Sequence, residues 1–315
     1  MFSTLVFALN TVLLSSQVAA LAIEKRTTYP FKRIVAFGDE FSDNGNGSFA
    51  HGITGDPSFV YGYNTWTNGP VAVSYFAGGM GIPMSDFAFG GCCGGESFGA
   101  TLDEAYTESP AGSPSLVTQI KNYTSKRATT TVKTSLHFIW VGQNDLSKHT
   151  DVFWEGDPAN ADFANEISTR LTASVKTLLN HGAPYILVAN LYPKHLAPVT
   201  TTYLCGDSAS CVTAWGNIIS SANAAIKSAL APFGKKVIYY DVYSFMVELM
   251  NNKDAHGFTQ PLSYYCDGDE NAKWDDCMTK GHAAEYFWMN FQQPTARVHA
   301  LIAGDMKRVV DGHFA

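Results

Sequence analysis

Arg33-Ile34-Val35-Ala36-Phe37-Gly38-Asp39-Glu40-Phe41-Ser42-Asp43-Asn44-Gly45 begins as a short apolar run and breaks at glycine into a polar turn. Ile34 to Phe37 is apolar without interruption, the pattern of a strand buried on both faces. The pattern returns downstream. Asp86 to Phe89 reads as a short strand running into the glycine-rich stretch Gly90 to Gly95. Leu136 to Val141 ends at Gly142, and Tyr185 to Leu191 and Lys236 to Val242 are further apolar strands. Helix signals lie between them. Pro70 to Ala77 follows Asn68-Gly69, and Ser115 to Asn122 is also helical in pattern. From Asp162 to Asn180, Phe163, Ile167, Leu171, Val175 and Leu178 recur at helical spacing until Gly182-Ala183-Pro184 stops the run. Val212 to Leu230, Ser244 to Asn251 and Pro294 to Val310 complete the helices. This alternation predicts an α/β fold: a three-layer α/β/α domain, a mainly parallel sheet with helices on both faces. Sites in such sheets lie at the carboxyl ends of strands. The segments after Phe37, Phe89 and Val141 are therefore the ones to inspect.

The chain has 315 residues, 46% hydrophobic and 16% charged, enough for a sizeable core. No repeat or linker divides it, so residues 27–315 read as one domain. Aromatics reach 13%; in exported proteins they often line sugar or lipid sites, though they serve equally as large core residues. A net charge of −7 and the lack of any basic run argue against nucleic acid and anionic membrane surfaces as partners.

Residues 1–20 read as a signal peptide, with an apolar stretch Leu5 to Leu14 ending in Val18-Ala19-Ala20. Residues 21–26 then form a short propeptide closing on Lys25-Arg26. A secreted, extracellular chain without a stable membrane anchor is expected. Six cysteines fit that route. Local spacing suggests Cys205–Cys211 and Cys266–Cys277, while adjacent Cys92-Cys93 is open between a strained ring and two thiols. Asn46-Gly47-Ser48 and Asn122-Tyr123-Thr124 are N-glycosylation sequons.

Four blocks stand in order: Gly38-Asp39-Glu40-Phe41-Ser42, then Phe89-Gly90-Gly91, then Val141-Gly142-Gln143-Asn144-Asp145, and finally Asn290-Phe291-Gln292-Gln293-Pro294-Thr295. With Asn68-Gly69-Pro70 between the first two, they resemble the blocks of the SGNH (GDSL) hydrolase family, in particular its fungal secreted esterases. The resemblance spans nearly the whole mature chain. In that family the first block carries the serine nucleophile. The second and third supply oxyanion donors, and the last is Asp-x-x-His before Pro-Thr. Residue by residue, Gly91 and Asn144 match the oxyanion positions and Asp39 the family aspartate. Glu40 stands at the serine position, Asn290 at the aspartate and Gln293 at the histidine.

These replacements change the chemistry expected. Asparagine and glutamine keep hydrogen bonding but do not transfer protons near neutral pH. Loss of one triad member costs on the order of 10⁴ to 10⁶ in rate. Donors aimed at Glu40 are expected to favour its charged form and lower its pKa. A fixed carboxylate there opposes a developing oxyanion. Asp39 and Asp145 are candidate second carboxylates, with a loop-holding role as the plainer reading. Ser42 points elsewhere from a tight turn, His299 reads as a packed helix histidine, and His282 as a loop histidine. No metal-ligand spacing appears, and no cofactor is expected. Three readings stay open: carboxylate-based chemistry on a sugar or lipid-like substrate; a non-catalytic glycan- or lipid-binding or effector-like protein; and residual ester hydrolysis. The partner expected is a small-molecule, glycan or lipid-like ligand, bound by a monomer.

Overall fold

A computed structural model describes residues 28–45, 65–90, 99–107, 113–127, 129–149, 158–268, 277 and 282–315. The expected signal peptide and propeptide, Asn46, Gly91 and the Cys92-Cys93 pair lie outside these residues.

Five strands form one parallel sheet: β1 (Arg33–Gly38), β2 (Met84–Asp86), β3 (Ser135–Trp140), β4 (Tyr185–Ala189) and β5 (Val237–Tyr240), in the order β2-β1-β3-β4-β5. Ile34 pairs with Leu136 and Gly38 with Trp140, so β1 and β3 end level with each other. The helices are α1 (Ala72–Met80), α2 (Leu116–Lys126), α3 (Thr129–Lys133), α4 (Gln143–His149), α5 (Pro158–Asn180), α6 (Ala209–Leu230), α7 (Val242–Asn251) and α8 (Ala296–Phe314).

Strand side chains alternate between two cores, as the pleat requires. Ile34, Ala36, Phe138 and Trp140 pack with α1, α7 and α8 on one face. Val35, Phe37, Ile139 and Val141 pack with α2, α5 and α6 on the other. The three-layer α/β/α reading therefore holds. Strand β2 lies upstream of the expected Asp86 to Phe89, although Phe87 and Phe89 still donate their N–H groups to Ala36 and Gly38 of β1. α4 was not expected. Its sequence, Gln-Asn-Asp-Leu-Ser-Lys-His, has a single apolar residue and so no helical stripe to read.

Both expected disulfides are present, Cys205–Cys211 and Cys266–Cys277. Asn122 is half-buried on α2, beside fully buried Tyr123. Among the described residues no helix is long and apolar enough to cross a membrane.

Candidate functional site

The turn after β1 is built by Asp39. Its carbonyl accepts from Ser42 N and Asp43 N at 3.0 Å each, and its Oδ1 accepts from Phe41 N at 3.1 Å. Gly38 permits the turn because a Cβ there would lie 2.2 Å from the Trp140 carbonyl oxygen. The Gln119 amide clamps Gly38 from the other side, accepting from its N–H at 2.9 Å and donating to its carbonyl at 2.8 Å. Asp43 then accepts from Gly90 N at 2.6 Å, tying this turn to the segment after β2. One tightly held turn thus projects Glu40 over the carboxyl ends of β1 and β3.

Glu40 is 1% exposed and hydrogen bonded. Its Oε2 accepts from Asn144 Nδ2 at 2.9 Å and from Gly99 N at 3.1 Å. Its Oε1 accepts a long bond, 3.4 Å, from Gln292 Nε2. Asn144 sits in the first turn of α4 and also donates to the Ala100 carbonyl at 3.1 Å. Segment 99–102 passes so close that a Cβ on Gly99 would lie 2.2 Å from Glu40 Oε2.

A lysine joins the cluster from β4. After that strand, Asn190 is fixed by Tyr239, Asp241 and the Tyr243 N–H, and Leu191 is bracketed by the Asn223 amide. The chain then delivers Lys194, 2% exposed, whose Nζ donates to Ser147 Oγ on α4. Burial lowers the Lys194 pKa to about 8, while the nearby negative charges of Glu40 and Asp39 hold it up. Sequence reading missed Lys194 because only three strand ends were inspected; the fourth, after β4, was the signal available.

Burial dominates the carboxylates. Glu40 is pushed up despite Asn144, Gly99 and Lys194, which all favour its ionised form. This corrects the expectation that its donors would lower its pKa: desolvation of a carboxylate at 1% exposure outweighs them. Asp39 is raised well above the usual range, first by burial and then by the Glu40 charge. Burial also raises Asp145 to about 7, although it accepts from Leu102 N at 3.1 Å and 3.3 Å.

The final block folds into a tight turn in which Asn290 Oδ1 accepts from Gln292 N at 3.0 Å and Gln293 N at 2.8 Å. Asn290 Nδ2 donates to the Trp66 carbonyl at 3.1 Å. Gln292, not Gln293, bonds to Glu40; the Gln293 side chain is buried, with no hydrogen bond among the described residues. Residue-type matching cannot separate two adjacent glutamines, and their backbone positions decide which one faces the cluster. Ser42 is buried beside Gly38, and its Oγ has no hydrogen bond among the described residues. His299 is buried in α8, where its Nδ1 accepts from Ala72 N at 3.1 Å, and burial lowers its pKa to about 3. No metal-binding group of His, Cys, Asp and Glu occurs among the described residues.

The polar cluster over the ends of β1, β3 and β4 stands where open parallel α/β sheets carry their sites. The GDSL-like Lipase/Acylhydrolase family profile matches residues 34–300, and the chain belongs to that family. Two curated relatives are GDSL esterase/lipases of Arabidopsis thaliana. One is 24% identical, covering 89% of this chain and 83% of the relative. The other, EXL6, is 22% identical and covers 96% of each chain. An extracellular lipase from Streptomyces rimosus overlaps 89% of this chain and 99% of its own at 17% identity and a TM-score of 0.44.

Proposed function

We propose that this chain is a secreted, monomeric GDSL-family protein that holds a sugar or lipid-like ligand and does not hydrolyse esters. One observation carries the reading: Asn144 Nδ2 and Gly99 N, donors suited to an oxyanion, are engaged by the Glu40 carboxylate. An ester carbonyl would have to displace that carboxylate and develop negative charge beside it. Electrostatic stabilisation of the oxyanion, commonly a leading contribution to acyl transfer, would be reversed in sign. In this reading Glu40, Asn290 and Gln293 occupy the triad positions, and Gly91 and Asn144 the oxyanion positions. Residues 1–20 and 21–26 are removed on export, and Asn46 and Asn122 are the acceptors for N-glycans.

Carboxylate-based chemistry is less well supported. It calls for a second carboxylate facing Glu40 across a ligand-sized gap. Asp145 is engaged with the Leu102 N–H, and one oxygen of Asp39 with the Phe41 N–H. Both look inward to loops, which favours binding over catalysis.

The test is turnover of short-chain p-nitrophenyl esters. The wild-type protein should be inert, and Glu40→Ser combined with Asn290→Asp and either Gln292→His, which faces Glu40, or Gln293→His, which keeps the family spacing, should gain activity. Ordinary esterase rates in the wild type, abolished by Glu40→Ala, would overturn the proposal.

A further inference from the structure

Among the described residues, only three large hydrophobic side chains remain exposed, and two of them are Tyr203 at 60% and Tyr264 at 58%. Tyr203 belongs to a cluster. Its hydroxyl is hydrogen bonded to that of Tyr265, and the two ring centroids are 6.5 Å apart. The ring of Phe291 lies 6.0 Å away, edge-on to Tyr203. Tyr264 precedes Tyr265 directly in a turn closed by Tyr264 N to the Pro261 carbonyl, 3.0 Å.

The setting makes this more than chance exposure. Phe291 is part of the same tight turn as Gln292, which bonds to Glu40. Its carbonyl accepts from Val199 N at 2.7 Å, fastening the Tyr203 segment to that turn. Tyr203 itself rides on a π-helix, Val199–Leu204. Such turns are rare and concentrate at functional sites. Both disulfides are anchored next to the cluster in the chain, Cys205 two residues beyond Tyr203 and Cys266 directly after Tyr265. Cys266 N and Asp267 N also donate to the carbonyls of Trp288 and Met289 at 3.2 Å and 2.9 Å. The Tyr203, Tyr265 and Phe291 rings are therefore held in place before any ligand arrives, with exposed Tyr264 next to them in the chain, which lowers the ordering cost of binding.

We propose that Tyr203, Tyr264, Tyr265 and Phe291 form a stacking platform for a neutral glycan whose end reaches the Glu40 site. The proposal rests on the reading above only in that the bound glycan is retained uncleaved. Sugar rings present an apolar face and an edge of hydroxyls, matching aromatic rings tipped with hydroxyls. The Tyr203–Tyr265 hydrogen bond uses only one of the two hydroxyl protons, so an acyl chain would desolvate the other O–H without an acceptor. A stable protein partner needs about 800 Å² per side, whereas rings of this exposure offer on the order of 100–150 Å² each.

The test is affinity electrophoresis of the full chain through gels containing acetylated xylan, galactomannan or hydroxyethylcellulose. Flotation with phosphatidylcholine vesicles and acetate release from the xylan are measured in parallel. Retardation by at least one polysaccharide is expected, weakened about tenfold in Tyr203→Ala and in Tyr264→Ala and largely kept in Tyr203→Phe. Retardation unchanged in both alanine variants would overturn the platform. So would no retardation by any of the three, whether or not vesicles bind. Acetate release by a retarded protein would leave the platform standing and sink the non-hydrolytic reading instead.

Discussion

Glu40 and Asn144 stand 104 positions apart and meet through one 2.9 Å hydrogen bond, Nδ2 to Oε2. It joins the turn after β1 to the first turn of α4, so it fastens two strand ends as well as satisfying a buried charge. Asn144→Ala should lower the unfolding free energy by about 1.5–3 kcal/mol, the range for hydrogen bonds to charged groups. Urea titration measures this. A loss below about 0.5 kcal/mol would mean that the carboxylate is satisfied without Asn144.

Lys194 is a buried cation that faces the charges of Glu40 and Asp39. Its Nζ donates to Ser147 Oγ, and its link to Glu40 and Asp39 is a longer-range charge attraction; losing a buried hydrogen bond to a charged group costs about 1.5–3 kcal/mol. Lys194→Met should show a loss of that order. In a Glu40→Gln background the same substitution should cost at least about 1 kcal/mol less, since one of its two anionic neighbours is gone. A double-mutant cycle measures the difference; strict additivity would show the two side chains to be uncoupled.

Asp145 and His299 drive stability in opposite directions with pH. Asp145 has its pKa raised to about 7 from an ordinary value of 3.8. Its contribution is fully present below the ordinary value and is lost as pH rises through about 7. His299 is lowered to about 3, so the unfolded chain takes up a proton that the folded chain refuses as pH falls below 6.5. Asp145→Asn should remove the first effect and keep the second. Between pH 4 and 7.5 the variant should gain about 2–4 kcal/mol relative to the wild type. Chemical denaturation across that range reads it, and parallel curves for the two proteins would refute the shift.

The layers of the fold were legible because β1, β3, β4 and β5 carry mostly apolar runs, with β3 interrupted only by His137 after Leu136, and α5 repeats its apolar residues at helical spacing. Boundaries drifted where local cues were weak, as at β2, whose pairing with β1 is set by the partner strand. At the site, Glu40 and Asn144 were found by block matching. Lys194 was not, because a lone Pro-Lys after a strand has no motif. Gly99 also escaped notice. Its part is a backbone N–H and a missing side chain, and neither leaves a sign in residue type. The ionisation of Glu40 was misjudged because donors can be guessed from a sequence, whereas the completeness of burial cannot.

The missing side chain at Gly99 also sets the direction of approach to Glu40. A Cβ there would sit within 3.0 Å of Glu40 N and of the Phe89 carbonyl oxygen, besides the carboxylate. That flank is main chain against main chain, and it opens only if the segment itself peels away. The other carboxylate oxygen, Oε1, accepts from Gln292 Nε2 at 3.4 Å. A ligand that reaches Glu40 must therefore come from a side other than the Gly99 main chain.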